Sequence, residues 1–428
     1  MHIDSNSISV SRFLLPFHFL NRKSVPFKLE DFTEYEIRPK YLVESVCELF
    51  RNGSKAECKC YYLNSECWKK YDLPARFSRV KLKSYMTGCN GTYDFIFTSF
   101  RLLIFNTGIG FLELEIKYLT DDANNAADIG FCLSNVFTNE HDSGKQENRL
   151  EFSYSEDDQE IAFSLKNVLY KILNAHENEK MLKLFPSNSR KKLLVYHSIV
   201  GQRQDNLNKM IYALCNGLHK DVFYDEAMDD DVMFSSVLNQ TWGISSAGVA
   251  SVAYPDSRNR NFIEDAFKRN TLYDYYYVFL LVLHEREVLL KYNHNAVVNK
   301  SNPKALIEMK KDLLKIRVLY TYNTVSTESS YQRFYEGITQ KFNISCLEDD
   351  IQDVVEAVES HVNDKKDRKV NTILTALSLL AIFSILTDGL ALADRLQSGD
   401  VFGGLQWGVI GVVVIIVAMA LVGLFRRG

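Results

Sequence analysis

The sequence predicts an α/β (α+β) cytosolic domain, then a long helical stalk, then two C-terminal transmembrane helices. Strand and helix signals interleave through residues 1–262, long helical patterns fill 263–370, and two apolar runs of bilayer length lie within 371–428. At 428 residues the chain exceeds one ordinary core, so several structural units are expected.

Composition averages the last signal away. The hydrophobic share is 46% and the mean hydropathy slightly negative, because the apolar residues concentrate after about residue 370. A net charge of −4 and a pI near 6.2 provide no global basic field, which argues against direct nucleic-acid binding. The opening MHIDSNSISVSRFLLPFHFL lacks the basic n-region and long apolar core of a signal peptide, so a cytosolic N-terminus is expected.

In the first part, SFRLLIFNTGIGFLELEIKY reads as a β-hairpin turning at Asn106-Thr107-Gly108. Leu112, Leu114, Ile116 and Tyr118 alternate with Glu113, Glu115 and Lys117, the pattern of a half-buried strand. A helix is expected over 122–138, a strand over 149–155, a helix over 160–173, a strand over 192–198 and a helix over 206–217. TWGISSAGVASVAY, residues 241–254, reads as a second hairpin. Gly108-x-Gly110 lacks the third glycine and following helix of a phosphate loop, and turn chemistry explains it. No nucleophile elbow or other catalytic constellation is present, so an enzyme is the weaker class.

Residues 271–292, dense in aromatic and aliphatic side chains, should form a buried helix. Its His284-Glu285 pair resembles the start of a zincin motif, but Val288 stands where the second histidine belongs. Asn302-Pro303 starts another helix, proline being favourable in a first turn. Leu347, Ile351, Val354, Val358 and Val362 then form an amphipathic seam. No proline or glycine separates this seam from the first apolar run, so one helix of roughly 70 Å is expected over 347–393. Such a helix would carry cytosolic movement directly to the membrane.

ILTALSLLAIFSILTDGLALA (373–393) and LQWGVIGVVVIIVAMALVGLF (405–425) each supply about 21 residues, roughly 31 Å of helix. Lys365, Lys366, Arg368 and Lys369 precede the first span and Arg426 and Arg427 follow the second, whereas the loop holds only Arg395. The positive-inside rule therefore places both termini in the cytoplasm of a multi-pass protein of the inner (plasma) membrane. Asn371, Thr375, Ser378, Ser384, Thr387 and Asp388 make the first span polar for a passive anchor. Gly408, Gly411, Ala418 and Gly423 permit close helix contact in the second. Asp388 either faces an oligomeric interior or reaches water at the outer interface.

Three residue groups suggest metals. Cys58, Cys60, Cys67 and Cys89 hold only one tight pair, so reduced thiols are expected rather than structural zinc. The acidic run Asp225, Glu226, Asp229, Asp230 and Asp231 reads as a solvated loop, with divalent-cation binding the alternative. Glu348, Asp349, Asp350 and Asp353 pose the same choice in the stalk.

The layout resembles the CorA superfamily of divalent-cation channels, most sharply through NTILTALSLLAIFSILTDGLALAD (371–394). In that family the first span begins with a V-L-T segment and ends G-x-Y-G-M-N. Leu374-Thr375 match the start and Gly389 the first glycine, but Leu392-Ala393-Asp394 replace the Gly-Met-Asn signature. The resemblance implies a funnel-shaped homo-oligomer, a pentamer, whose first span lines a pore. Asn371, Leu374, Ser378, Ile382, Ile385, Asp388, Gly389 and Asp394 are the pore-lining residues this implies. Mg²⁺ is the cofactor the family implies. Loss of the signature puts magnesium transport in doubt, and Asp394 offers a carboxylate ring in place of the asparagine. Signature-less CorA-like proteins beside type III CRISPR systems look like membrane effectors opened by a nucleotide second messenger. The NTGIGF turn and the WGISSAG hairpin are similar to that branch. The resemblance thus implies a messenger-gated channel of antiviral defence. A divalent metal transporter (Mg²⁺ or Co²⁺) and a membrane-tethered sensor or enzyme without a pore are the alternatives.

Overall fold

The computed structural model describes residues 9–19, 28–51, 57–120, 122–138, 149–186, 190–202, 205–226, 231–298 and 303–397. The second apolar run, 405–425, and most of the loop before it lie outside the described residues. The chain divides into two compact units, one of Met1–Val298 with Met309–Gln352 and one of Asn299–Glu308 with Asp353–Gly428.

In chain order the first unit opens with β1 (Val10–Phe19), β2 (Phe32–Tyr35), α1 (Glu44–Phe50), β3 (Cys58–Leu63), β4 (Arg79–Met86), β5 (Cys89–Phe105), β6 (Ile109–Tyr118) and α2 (Ala123–Ser134). Next come β7 (Leu150–Glu156), β8 (Gln159–Phe163), α3 (Leu165–Ile172), β9 (Leu182–Leu184), β10 (Leu194–Val200), α4 (Leu207–Cys215), β11 (Val232–Phe234), β12 (Gln240–Ile244) and β13 (Gly248–Ala253). Two π-helical stretches, Phe262–Phe267 and Thr271–Tyr275, flank α5 (Lys268–Asn270) and lead into α6 (Tyr276–Val298). The remaining helices are α7 (Pro303–Tyr320), α8 (Ser329–Lys341) and α9 (Ile344–Gln397).

The strands form one mixed sheet in the order β11-β12-β13-β10-β1-β6-β5-β4-β7-β8. Strand β3 joins it by pairing with β5 and carries β2, and β9 pairs with β1. Only β10 and β13 run parallel among the described pairs. Period-two side-chain alternation sorts each strand onto two faces. Phe13, Leu15, Phe17, Leu112, Leu114, Ile116 and Tyr118 join the core that α2 and α4 cover. Arg12, Glu113 and Tyr196 point to the other side, where Tyr276 of α6 meets all three.

The NTG hairpin forms as expected: β5 and β6 pair antiparallel, and Gly108 takes φ +80°, a conformation glycine adopts without strain. The 241–254 hairpin appears as β12 and β13. Asp122 caps α2 by accepting from the Asn124 amide at 2.9 Å. Pro303 opens α7, and the continuous stalk pattern becomes the 54-residue helix α9.

Two expectations are corrected. The polar face of the strand over 109–118 is less open than alternation implies: Glu113 is wholly enclosed, while Glu115 and Lys117 are half-buried, because α6 packs on the side that alternation assigned to water. The helix expected over 160–173 is shorter. Residues 159–163 instead pair with β7 around Asp157-Asp158, both at positive φ, the geometry of a tight hairpin turn. Ser164 then caps α3 through the Asn167 amide at 3.3 Å.

Candidate functional site

The face between the sheet and α6 encloses a four-charge cluster. Arg12 Nε donates to Glu115 Oε2 at 2.8 Å, and Arg101 Nη2 donates to the same oxygen at 3.0 Å. Arg101 also donates to Glu113, which accepts from the Tyr276 hydroxyl as well. Thr98 Oγ1 completes the set on Glu115 Oε1 at 2.7 Å. Burial raises the Glu115 carboxyl, but Arg12, Arg101 and Thr98 outweigh it and hold the group at about 2. The widened π-helical turn before α6 offers its carbonyls to this face. Leu272 accepts from Arg12 at 2.6 Å and Thr271 from the Tyr196 hydroxyl at 2.5 Å. With both arginines paired and Tyr276 bonded to Glu113, the cluster ties α6 to the sheet.

About two turns further along α6 lies a run of four polar residues, His284-Glu285-Arg286-Glu287. His284 stacks on Phe105 at 3.8 Å between ring centroids and bonds Thr107 Oγ1 through Nε2 at 2.8 Å. Burial keeps its imidazole neutral. Lys291 donates to the Thr107 carbonyl at 2.9 Å, so the NTG turn is pinned to α6 twice. Glu285 is fully buried. Its Oε1 accepts from Thr321 Oγ1 at 2.6 Å, and its Oε2 has no hydrogen-bond partner among the described residues. Burial, and then the charge of Glu348 in α9, push this carboxyl up to about 7 against the Thr321 bond.

Arg286 faces a cleft of about 450 Å³. The cleft is walled by Arg190 and Lys192 before β10, by Ser134 and Asn216-Gly217 at the ends of α2 and α4, and by Ser246-Ala247 in the β12–β13 turn. Arg286 Nη1 donates to the Ser246 carbonyl at 3.3 Å, and its guanidinium lies over the Phe342 ring at 4.7 Å. Burial lowers the Arg286 pKa, and burial together with Arg190 lowers that of Lys192. Glu287 also lines the cleft and approaches His18 Nε2 at 3.8 Å.

Among the described residues one helix segment, Asp367–Gly389, is long and apolar enough to cross a membrane. All its side chains along 367–381 are exposed. The residues expected in a pore are placed as follows. Asn371, Leu374, Ser378, Asp388 and Gly389 are exposed, Ile382 and Ile385 are half-buried, and Asp394 lies within α9. At about 100° per residue all but Asp388 and Asp394 fall within an arc of about 80°, with Asp388 about 40° beyond its edge. Hydroxyls along the segment bond its own backbone: Thr375 to Asn371, Ser378 to Leu374 and Thr387 to Ser384, each at 2.8 Å. These three groups need no water, so the polarity left in the segment beyond residue 370 rests on Asn371, Ser384 and Asp388.

The cysteines weighed as zinc ligands are dispersed in pairs. Cys58 faces Cys60 at 3.8 Å, Cys89 faces Cys132 at 3.5 Å, and Cys67 lies 3.6 Å from Asp31. Among the described residues no three metal-ligating side chains gather. Of the acidic run, Glu226 accepts from Asn208 and Asp231 from Asn216, while Asp229 and Asp230 lie outside the described residues. In the stalk Glu348 meets Arg317 at 3.4 Å, and Asp349, Asp350 and Asp353 are exposed.

Sequence reasoning missed Arg12, Arg101 and Arg286. The signal for the last was legible: four consecutive polar residues interrupt a helix otherwise rich in buried apolar side chains. Arg12 carries no local signal, because its partner Glu115 is 103 residues away. No family model, curated protein or solved structure matches the chain.

Proposed function

We propose that this chain is the subunit of a CorA-like oligomeric membrane channel, gated by a nucleotide second messenger and serving type III CRISPR antiviral defence. The observation that carries the reading is α9. It is one helix whose first turns belong to the sheet-containing unit and whose later turns supply an apolar, exposed segment bearing Asp388. Asp388 is the next-to-last residue of that segment, and neighbouring copies lining a water-filled path would solvate its carboxylate. Asn371 and Ser378 share the face of Ile382, Ile385 and Gly389, the arrangement a pore-lining helix needs. Gating requires a ligand that favours the open arrangement of the cytosolic part, since equal affinity for both states shifts nothing.

The test is conductance. Purified protein in planar bilayers should give currents that rise on adding the nucleotide messengers made by type III CRISPR complexes. The same messengers should raise the melting temperature of the detergent-solubilised protein. Currents that never respond to any such messenger would remove the gating claim, and a monomer by native mass measurement would remove the pore.

A further inference from the structure

We propose that the cleft walled by Arg190, Lys192 and Arg286 binds the phosphoryl group of a small soluble ligand and passes that binding to the root of α9 through Arg286. This rests on the ligand-gated reading above and assigns it a site.

The chemistry of the walls selects the ligand. Three side-chain cations line one cavity of about 450 Å³, with Glu287 the one carboxylate among its described lining residues. The ends of α2 and α4 at Ser134 and Asn216 add partial negative charge, about half a unit each, which still leaves the cleft net positive. Burial disfavours the charged forms of both Lys192 and Arg286, so a multiply charged anion arriving between them recovers that cost. A guanidinium with an ammonium beside it suits phosphate oxygens. Among the described residues the cavity wall contains no aromatic ring, so affinity would come from the phosphoryl group rather than from stacking on a base. Glu287 supplies an acceptor for a ligand hydroxyl.

Arg286 has two faces. One touches the Ser246 carbonyl in the cleft wall, and the other covers Phe342. Phe342 is the C-cap of α8, two residues before α9 begins. A phosphate that draws the guanidinium into the cleft removes it from this ring. The α8–α9 junction thereby senses whether the cleft is filled.

The experiment uses full-length protein in detergent and pyrophosphate as the probe, with potassium chloride at equal ionic strength as control. Pyrophosphate at millimolar concentration should raise the melting temperature and change amide exchange across residues 338–348. Arg286→Gln and Arg190→Glu should each weaken pyrophosphate binding at least about tenfold by calorimetry. Arg190 is exposed, so its variant keeps the assay valid if Arg286→Gln folds poorly. Phe342→Leu should bind within about twofold of the wild type yet lose the exchange response. Micelles doped with phosphatidylglycerol should neither mimic nor block the probe; if they do, the ligand is a lipid headgroup and the soluble-ligand claim falls. Absence of a pyrophosphate effect beyond that of chloride, or wild-type binding by both Arg190→Glu and Arg286→Gln, overturns the site. Pyrophosphate binding without messenger-dependent current would leave the site standing and defeat the channel reading. Messenger-gated current unaffected by Arg190→Glu would do the reverse.

Discussion

Arg101 and Glu113 are both enclosed, and each would be a severe liability alone. Removing one partner of such a pair leaves an uncompensated buried charge, which costs about 3–5 kcal/mol. Arg101→Met should therefore lower the chemical-denaturation midpoint strongly, and Arg101→Met combined with Glu113→Gln should recover most of the loss. Equal midpoints for wild type and single variant would show that the β5–β6 pair does not stabilise the fold. Glu285 presents the opposite case, a carboxyl whose surroundings favour its neutral form. Below about pH 4.5, its ordinary value, the group is protonated in folded and unfolded chains alike. Between there and about 7 the folded chain keeps a proton that the unfolded chain has released, so stability falls as pH rises through this window. Glu285→Gln removes that dependence. Its stability relative to the wild type should grow between pH 5 and pH 8, by a difference on the order of 3 kcal/mol. A gap that stays constant over that range would place the carboxyl's titration elsewhere.

Among the elements, the parallel pair β10–β13 depends on a close backbone approach. A Cβ at Gly248 would lie 2.2 Å from the Val195 carbonyl oxygen, and backbone cannot step aside as a side chain can. Gly248→Ala should destabilise by about 3 kcal/mol. Gly91→Ala, whose Cβ would meet only the movable Tyr93 hydroxyl at 2.9 Å, should cost clearly less. Thermal unfolding of the two variants side by side checks the ranking; similar losses would mean the strands can part at little cost. The same scale shows what was legible. The hairpin at Asn106-Thr107-Gly108 and the helix entering at Pro303 carry local turn and cap chemistry, so both were readable from neighbouring residues. Strand β1 was not. Its buried VSRFLLPFHF has no clean alternation, and its place between β6 and β10 is set by partners more than 90 residues away.

For the whole molecule the decisive residue is Asp388. Asp388→Leu makes the span uniformly apolar at that depth, which should ease insertion yet abolish messenger-dependent current if the carboxylate faces water in an assembly. Asp388→Asn should retain current with altered ion preference. Single-channel recording separates these outcomes, and unaltered current in Asp388→Leu would point to a tether. The expected pore residue Asp394 enters here as well: Asp394→Ala should leave assembly intact and change only the permeating ion.

The sequence by itself determined the two hairpin turns, the helix entered at Pro303, and the helix that runs from a heptad seam into an apolar segment. Each of these follows from periodicity and turn chemistry within a few residues. Tertiary structure alone decided that Glu113 and Glu115 face protein instead of water, since alternation marks a second face without saying what covers it. It also decided that Arg190, Lys192 and Arg286 share one cleft. Arg286 lies more than ninety residues from Arg190 and Lys192, and only the sheet, with α6 laid across it, brings it to the same cavity wall as those two.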